Sequence, residues 1–100
     1  MLVKVCSLKV LPPESMKQFA VKDREVLLIN TAGGFFCLEA RCTHAGAPLA
    51  EGTLEGKVLT CPWHGSQFRI TDGAVLRGPA EKKLETYAVV LKETALFIEL

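Results

Sequence analysis

The sequence predicts an all-β chain of antiparallel hairpins, and three observations carry that expectation. Apolar and β-branched residues gather in runs of about four to eight, the length of strands rather than helices. Turn-forming residues separate these runs at short intervals. No stretch keeps the apolar spacing of a helix for more than a turn or two. Strands this short and this often interrupted close into a sandwich or a barrel.

The elements follow in order. Val3, Val5, Leu8 and Val10 alternate with polar residues as an edge strand does, and Pro12-Pro13 stops it because proline gives no N–H to a ladder. Strand-like runs continue at Met16 to Val21, Glu25 to Asn30 and Gly34 to Glu39, divided by Lys22-Asp23-Arg24 and Thr31-Ala32-Gly33-Gly34. Cys6 and Cys37 fall inside such runs and read as buried apolar thiols. Ala40 to Gly56 is a long irregular stretch, in which Ala47 to Glu51 suits a short helix. Lys57 to Cys61 and Gln67 to Ile70 are the next strands, with turns at Glu55-Gly56 and Asp72-Gly73. A second irregular stretch runs from Gly78 to Lys83, before strands at Leu84 to Lys92 and Thr94 to Leu100 about a turn at Lys92-Glu93. Loops held by a rigid scaffold are where binding residues sit, so the two irregular stretches are where a site is sought.

A length of 100 residues suits one domain, and 49% hydrophobic with 23% charged residues is the composition of an ordinary globular protein. Twelve basic and eleven acidic side chains are interspersed, for a net charge of +1. With no basic tract to meet a phosphate backbone, nucleic acid is not an expected partner. The start lacks a charged segment followed by a long apolar one, and apolar runs such as Val26 to Ile29 are too short to span a bilayer. The expectation is a soluble, unprocessed cytoplasmic protein without membrane contact. Four cysteines could form two disulfides in a secreted domain. Without a signal peptide, and with two cysteines each beside a histidine, a metal site is the better reading.

The chain has two histidines, and each closely follows a cysteine: Cys42-Thr43-His44 and Cys61-Pro62-Trp63-His64, with sixteen residues between the pairs. Two thiolates and two imidazoles from two short loops form the ligand set of a Rieske-type [2Fe-2S] centre. Each loop gives its cysteine to one iron and its histidine to the other. A zinc finger groups its cysteines and spaces its histidines differently, although a structural zinc site stays open as an alternative. Gly46 and Gly65 allow tight turns beside the ligands. Charge explains the ligand choice: two ferric ions, two sulfides and two thiolates sum to zero. An all-cysteine cluster starts more negative and accepts an electron at lower potential.

These residues resemble the Rieske iron–sulfur family over essentially the whole chain. Arg41-Cys-Thr-His-Ala-Gly-Ala-Pro-Leu-Ala-Glu-Gly52 and Thr60-Cys-Pro-Trp-His-Gly-Ser-Gln-Phe68 are similar to its two cluster-binding loops. Asp72-Gly73 and Leu76-Arg-Gly-Pro-Ala80 resemble its turn and its proline loop. The resemblance implies an antiparallel β-sandwich-like base with a small cluster-binding subdomain, roughly residues 40–80. It implies cluster ligation by Cys42, His44, Cys61 and His64, with the histidines at an exposed tip. Ser66 matches a serine that donates to a cluster sulfide, and Pro79 shields the cluster.

The branch of the family follows from what stands at other positions. Respiratory-complex members carry an extra cysteine in each loop, where this chain has Ala47 and Trp63, and usually a membrane anchor, which is not expected here. Phe68 falls where the high-potential branch has a tyrosine, which implies a low-to-middle potential. Ring-oxygenase subunits need a further mononuclear iron with its own histidines, and none is spare. The chain thus resembles small ferredoxins that pass single electrons from a flavin-dependent NAD(P)H reductase to a terminal oxygenase, with no reaction or substrate of their own. A nitrite-reductase-like small subunit and a redox-sensing module are the alternatives. Trp63 is expected to fill space and shield the cluster. Ala45, Ala47, Pro48, Leu49 and Pro79 are expected to form an apolar docking patch, with Lys82 and Lys83 on a solvated face.

Overall fold

A strand whose apolar residues run without interruption faces water on neither side. Val26, Leu27, Leu28 and Ile29 form such a run, and in the computed structural model, which describes residues 1–100, each has 0% exposure. Eleven strands are present: β1 (Leu2–Ser7), β2 (Ser15–Val21), β3 (Arg24–Thr31), β4 (Gly34–Glu39), β5 (Thr53–Glu55), β6 (Val58–Thr60), β7 (Gln67–Arg69), β8 (Val75–Arg77), β9 (Thr86–Tyr87), β10 (Val89–Lys92) and β11 (Ala95–Glu99). They form three sheets, ordered β1-β11-β10, β2-β3-β4-β9 and β5-β6-β7-β8. All pairings are antiparallel, as the hairpin rhythm of the sequence predicts.

Strand β3 belongs to the middle layer. Alternate side chains of a strand point to opposite faces, so β3 serves two cores. Val26 and Leu28, with Cys37 of β4, pack in one core with Cys6, Leu96 and Ile98 of the β1-β11-β10 sheet. Leu27 and Ile29, with Leu38 of β4, pack in the other with Leu59, Phe68 and Ile70 of the β5–β8 part. Removing a side chain of this kind from water contributes about 1.5–3 kcal/mol. Cys6 and Cys37 are buried, as expected, and burial pushes the Cys37 thiol up to about 12.

Four local differences from the sequence reading have physical reasons. Leu8–Val10 is not strand but a 3-10 turn, whose start is capped by Ser7 Oγ accepting from the Lys9 N–H. The irregular stretch from Ala40 to Gly56 contains the expected short helix as a 3-10 turn, Leu49–Glu51, and also strand β5. Strand β8 was not expected either. Strands of three residues are too short to display a two-residue period. The run from Leu84 to Lys92 is two strands, because the chain changes sheets at Ala88: β9 pairs with β4 and β10 with β11.

The turn at Asp72-Gly73 braces the second irregular stretch. The Arg69 guanidinium and the Ala74 N–H both donate to the Asp72 carboxylate, which holds its pKa down to about 2. With the folded value depressed, this ionised turn is intact at ordinary pH and is lost only as pH falls through about 2. Gly73 is buried at φ +77°, and its carbonyl accepts from the Leu84 N–H at 2.9 Å. A Cβ there would overlap the Leu84 carbonyl oxygen. Gly73→Ala should therefore lower the melting temperature by several degrees, since left-handed backbone alone costs about 1 kcal/mol and the clash adds to it. Thermal unfolding followed by circular dichroism checks this; an unchanged midpoint would mean that the Leu84 backbone yields freely.

Candidate metal centre

The two Cys/His segments fold into backbone loops of the same shape. In the first, the Cys42 N–H donates to the Ala47 carbonyl at 2.9 Å; in the second, the Cys61 N–H donates to the Ser66 carbonyl at 2.8 Å. Each loop has its glycine four residues after the cysteine, Gly46 at φ +75° and Gly65 at φ +76°. That left-handed region is open to glycine at little cost. The histidines break the equivalence, standing two residues after Cys42 but three after Cys61.

The loops bring the four side chains together in like pairs. His44 and His64 are exposed, with ring centroids 5.0 Å apart and planes at 83°. Cys42 and Cys61 are each only 3% exposed, embedded in the core that holds Phe68 and Leu59. Burial pushes the Cys42 thiol up, opposed by the backbone amides of His44 and Ala45 and reinforced by the neighbouring Cys61. Amides directed at a sulfur stabilise it as a thiolate when a cation is bound. Ser66 is fully buried, and its Oγ accepts from the Ala80 N–H at 2.9 Å. That bond leaves the hydroxyl hydrogen available to another acceptor.

This donor set fits a two-iron cluster. No three of the chain's Cys, His, Asp or Glu side chains converge as a site for one ion, whereas two soft sulfurs buried beside each other and two imidazoles side by side suit two adjacent metals. The Ser66 hydroxyl is the kind of donor that a cluster sulfide accepts. The profile of the Rieske [2Fe-2S] domain matches residues 1–88. The chain belongs to the Rieske family. Its cofactor is a Rieske-type [2Fe-2S] cluster.

Relatives include the ferredoxin component of biphenyl 2,3-dioxygenase from Rhodococcus jostii (strain RHA1), 33% identical over 99 residues, which are 99% of this chain and 92% of that protein. Human apoptosis-inducing factor 3 is 32% identical over 94% of this chain, but the matched part is only 16% of its length. Among solved structures, the complex of reduced oxygenase and oxidised ferredoxin in carbazole 1,9a-dioxygenase contains a chain that superposes with a TM-score of 0.88 and 30% identity. That match covers 97% of this chain and 91% of the other.

Seen on the Rieske fold, two readings of the loops change. Trp63 is 56% exposed, so its ring does not fill space in the interior. Ala47 and Leu49 are fully buried, which removes them from the expected docking patch, while Ala45 and Pro79 are exposed. Leu49 is drawn inward because its N–H donates to the Ala40 carbonyl, which turns the loop back onto the core. No helix is long and apolar enough to cross a membrane.

Three side-chain clamps that the sequence reading missed hold the loops in place. Arg41 donates to both carboxylate oxygens of Glu25 on β3, at 2.8 and 3.3 Å, and to the Gly46 carbonyl at 3.1 Å. Gln18 on β2 also donates to Glu25. The Arg41 hydrogen bond holds the Glu25 carboxyl below the usual carboxylate range, so the clamp is ionised at neutral pH and is lost only in acid. Thr43 Oγ1 donates to the Lys82 carbonyl, and Ser66 receives the Ala80 N–H, so the proline loop is tied to both Cys/His loops. The polar side chains of Arg41 and Thr43 around Cys42 were the available signal; their partners lie 16 and 39 residues away. An exposed pair adds little to global stability. Glu25→Gln should accordingly leave the melting temperature nearly unchanged but speed loss of the cluster to a chelator several-fold, followed by bleaching of the visible absorption. Bleaching at the parent's rate would show that the first loop keeps its shape unaided.

Proposed function

We propose that the chain is a one-electron carrier in which Cys42 and Cys61 hold one iron and His44 and His64 the other. The observation that carries this is the exposed imidazole pair, 5.0 Å apart, above two buried cysteines. When bound, a [2Fe-2S] cluster supplies a one-electron couple whose potential depends on its ligands and their hydrogen bonds. The chain's own residues determine access to it. The cysteines anchor the metals in the core and keep water from their sulfurs, while the histidines present the other side to solvent and to a partner. Ser66 would donate to the cluster and raise its potential, and Pro79 would shield it from within the loop that Thr43 and Ser66 tie down.

The donor in this reading is a flavin-dependent NAD(P)H reductase and the acceptor a terminal oxygenase. Support comes from the dioxygenase ferredoxin components among the relatives and from the oxygenase–ferredoxin complex among the similar structures. We read the protein as a carrier rather than an enzyme, located in the cytoplasm and acting as one domain, 1–100, with residues 40–80 as its cluster-binding part. A second reading, electron transfer as a module of a larger assembly, is favoured by the relative in which the matched segment is 16% of a longer chain.

Protein purified with its iron should be red-brown and give a rhombic resonance signal of Rieske type on reduction. A colourless protein with stoichiometric zinc would sink the proposal. His64→Cys should retain a cluster at a clearly lower potential, because a thiolate replaces a neutral ligand; a potential equal to the parent's would remove His64 from the ligand set. Phe68 is fully buried in the same core as both cysteines. Phe68→Tyr should raise the potential by roughly 40–90 mV, the one-electron equivalent of about 1–2 kcal/mol for a new donor near a ligand sulfur. Voltammetry on a protein film reads both variants.

A further inference from the structure

The three loops at the histidine end carry an uneven charge. Residues 42–48 and 61–66, the two Cys/His loops, contain no Asp, Glu, Lys or Arg. Residues 77–83 contain Arg77, Lys82 and Lys83 against the single acid Glu81, a net +2 in a chain whose total is +1. The remaining nine basic and ten acidic residues nearly cancel, so the surplus lies in this segment. Adding Glu51, three residues past the first loop, still leaves the end positive.

The segment is fixed beside the histidines, not merely near them in sequence. Thr43, the neighbour of His44, donates to the carbonyl of Lys82 itself, and the buried Ser66, two residues after His64, accepts from Ala80. Arg77, Lys82 and Lys83 are exposed. The ion pairs of the molecule are Met1–Glu99, Arg41–Glu25 and Arg69–Asp72, so none of the three cations is neutralised within the chain. Exposed apolar groups stand on the same three tied loops: Ala45, Pro62, Trp63 at 56% exposure, and Pro79. A centre of this kind with a charged rim is the composition of a transient docking face.

We propose that the redox partner meets the histidine end with an acidic face, its carboxylates opposite Lys82, Lys83 and Arg77 and an apolar centre opposite Trp63 and Pro79. This rests on the electron-carrier reading above. Unpaired surface charge of one sign steers encounter and raises association rates by about ten- to a thousandfold at low salt, an advantage that salt removes.

The test uses the reduced, cluster-loaded protein in stopped flow with two acceptor proteins of opposite docking charge. Plastocyanin is the acidic probe and mitochondrial cytochrome c the basic one. The rate to plastocyanin should fall as ionic strength rises, and the rate to cytochrome c should rise. Lys82→Glu/Lys83→Glu should slow transfer to plastocyanin about tenfold at low salt, converge with the parent at high salt and reverse both salt slopes. Lys82→Gln/Lys83→Gln should flatten them. An unchanged potential and resonance signal in the variants confirm an intact cluster. Salt slopes of the opposite sign in the parent, or slopes indifferent to both double substitutions, overturn the acidic-partner proposal while leaving the carrier reading standing. Failure to reduce either acceptor overturns the carrier reading, and this proposal with it.

Discussion

Burial of β3 on both faces is the constraint on which the other layers depend. Val26 and Leu28 form one core with the β1-β11-β10 sheet, and Leu27 and Ile29 form the other with the cluster-side residues. A register slip of one residue would exchange these two sets, placing each side chain against the wrong layer. The loops carrying Cys42 and Cys61 are packed into the second core, so their positions are inherited from β3. Glu25, on the same strand, reaches out to Arg41 and carries that reference to the rim of the first loop.

The site divides its work by depth. Buried thiols require either neutrality or a compensating cation, and burial pushes the Cys42 thiol up. The imidazoles stay at the surface, where a partner can approach within transfer distance. The same split explains the differing fates of the flanking residues. Ala47 occupies the interior position that Ser66 occupies in the companion loop, a methyl in one and a hydroxyl in the other. Only the second loop therefore contributes a side-chain hydroxyl at this position.

Much of this architecture was legible because it is local. Strand runs such as Met16 to Val21 and Gly34 to Glu39 coincide with β2 and β4 to within a residue, since two-residue periods and turn pairs act over short distances. The four proposed ligands were legible as well, because the spacing of each Cys/His pair is contained within one loop. What escaped was non-local. The sheet change at Ala88 hides inside a continuous apolar run, because both halves are partly buried, in different layers. The Thr43–Lys82 and Arg41–Glu25 clamps join residues that no short window contains. Exposure of Trp63 followed from loop direction rather than from residue type.

Strand β1 pairs with β11, residue 2 against residue 99, whereas the sheet beside the metal loops pairs only residues within 53–77. Closing a long chain segment costs more entropy than closing a short one. The site-bearing meander is thus complete in sequence well before the outer layer can close, and one face of β3 is covered only in part, by residues such as Cys6 and Leu11, until Leu96 and Ile98 emerge. During synthesis, Val26 and Leu28 would be incompletely covered while the hairpins of residues 53–77 already have all their own strands. The period in which this protein most needs protection from aggregation therefore falls after the site's residues are assembled, and it ends with the arrival of Leu96 and Ile98.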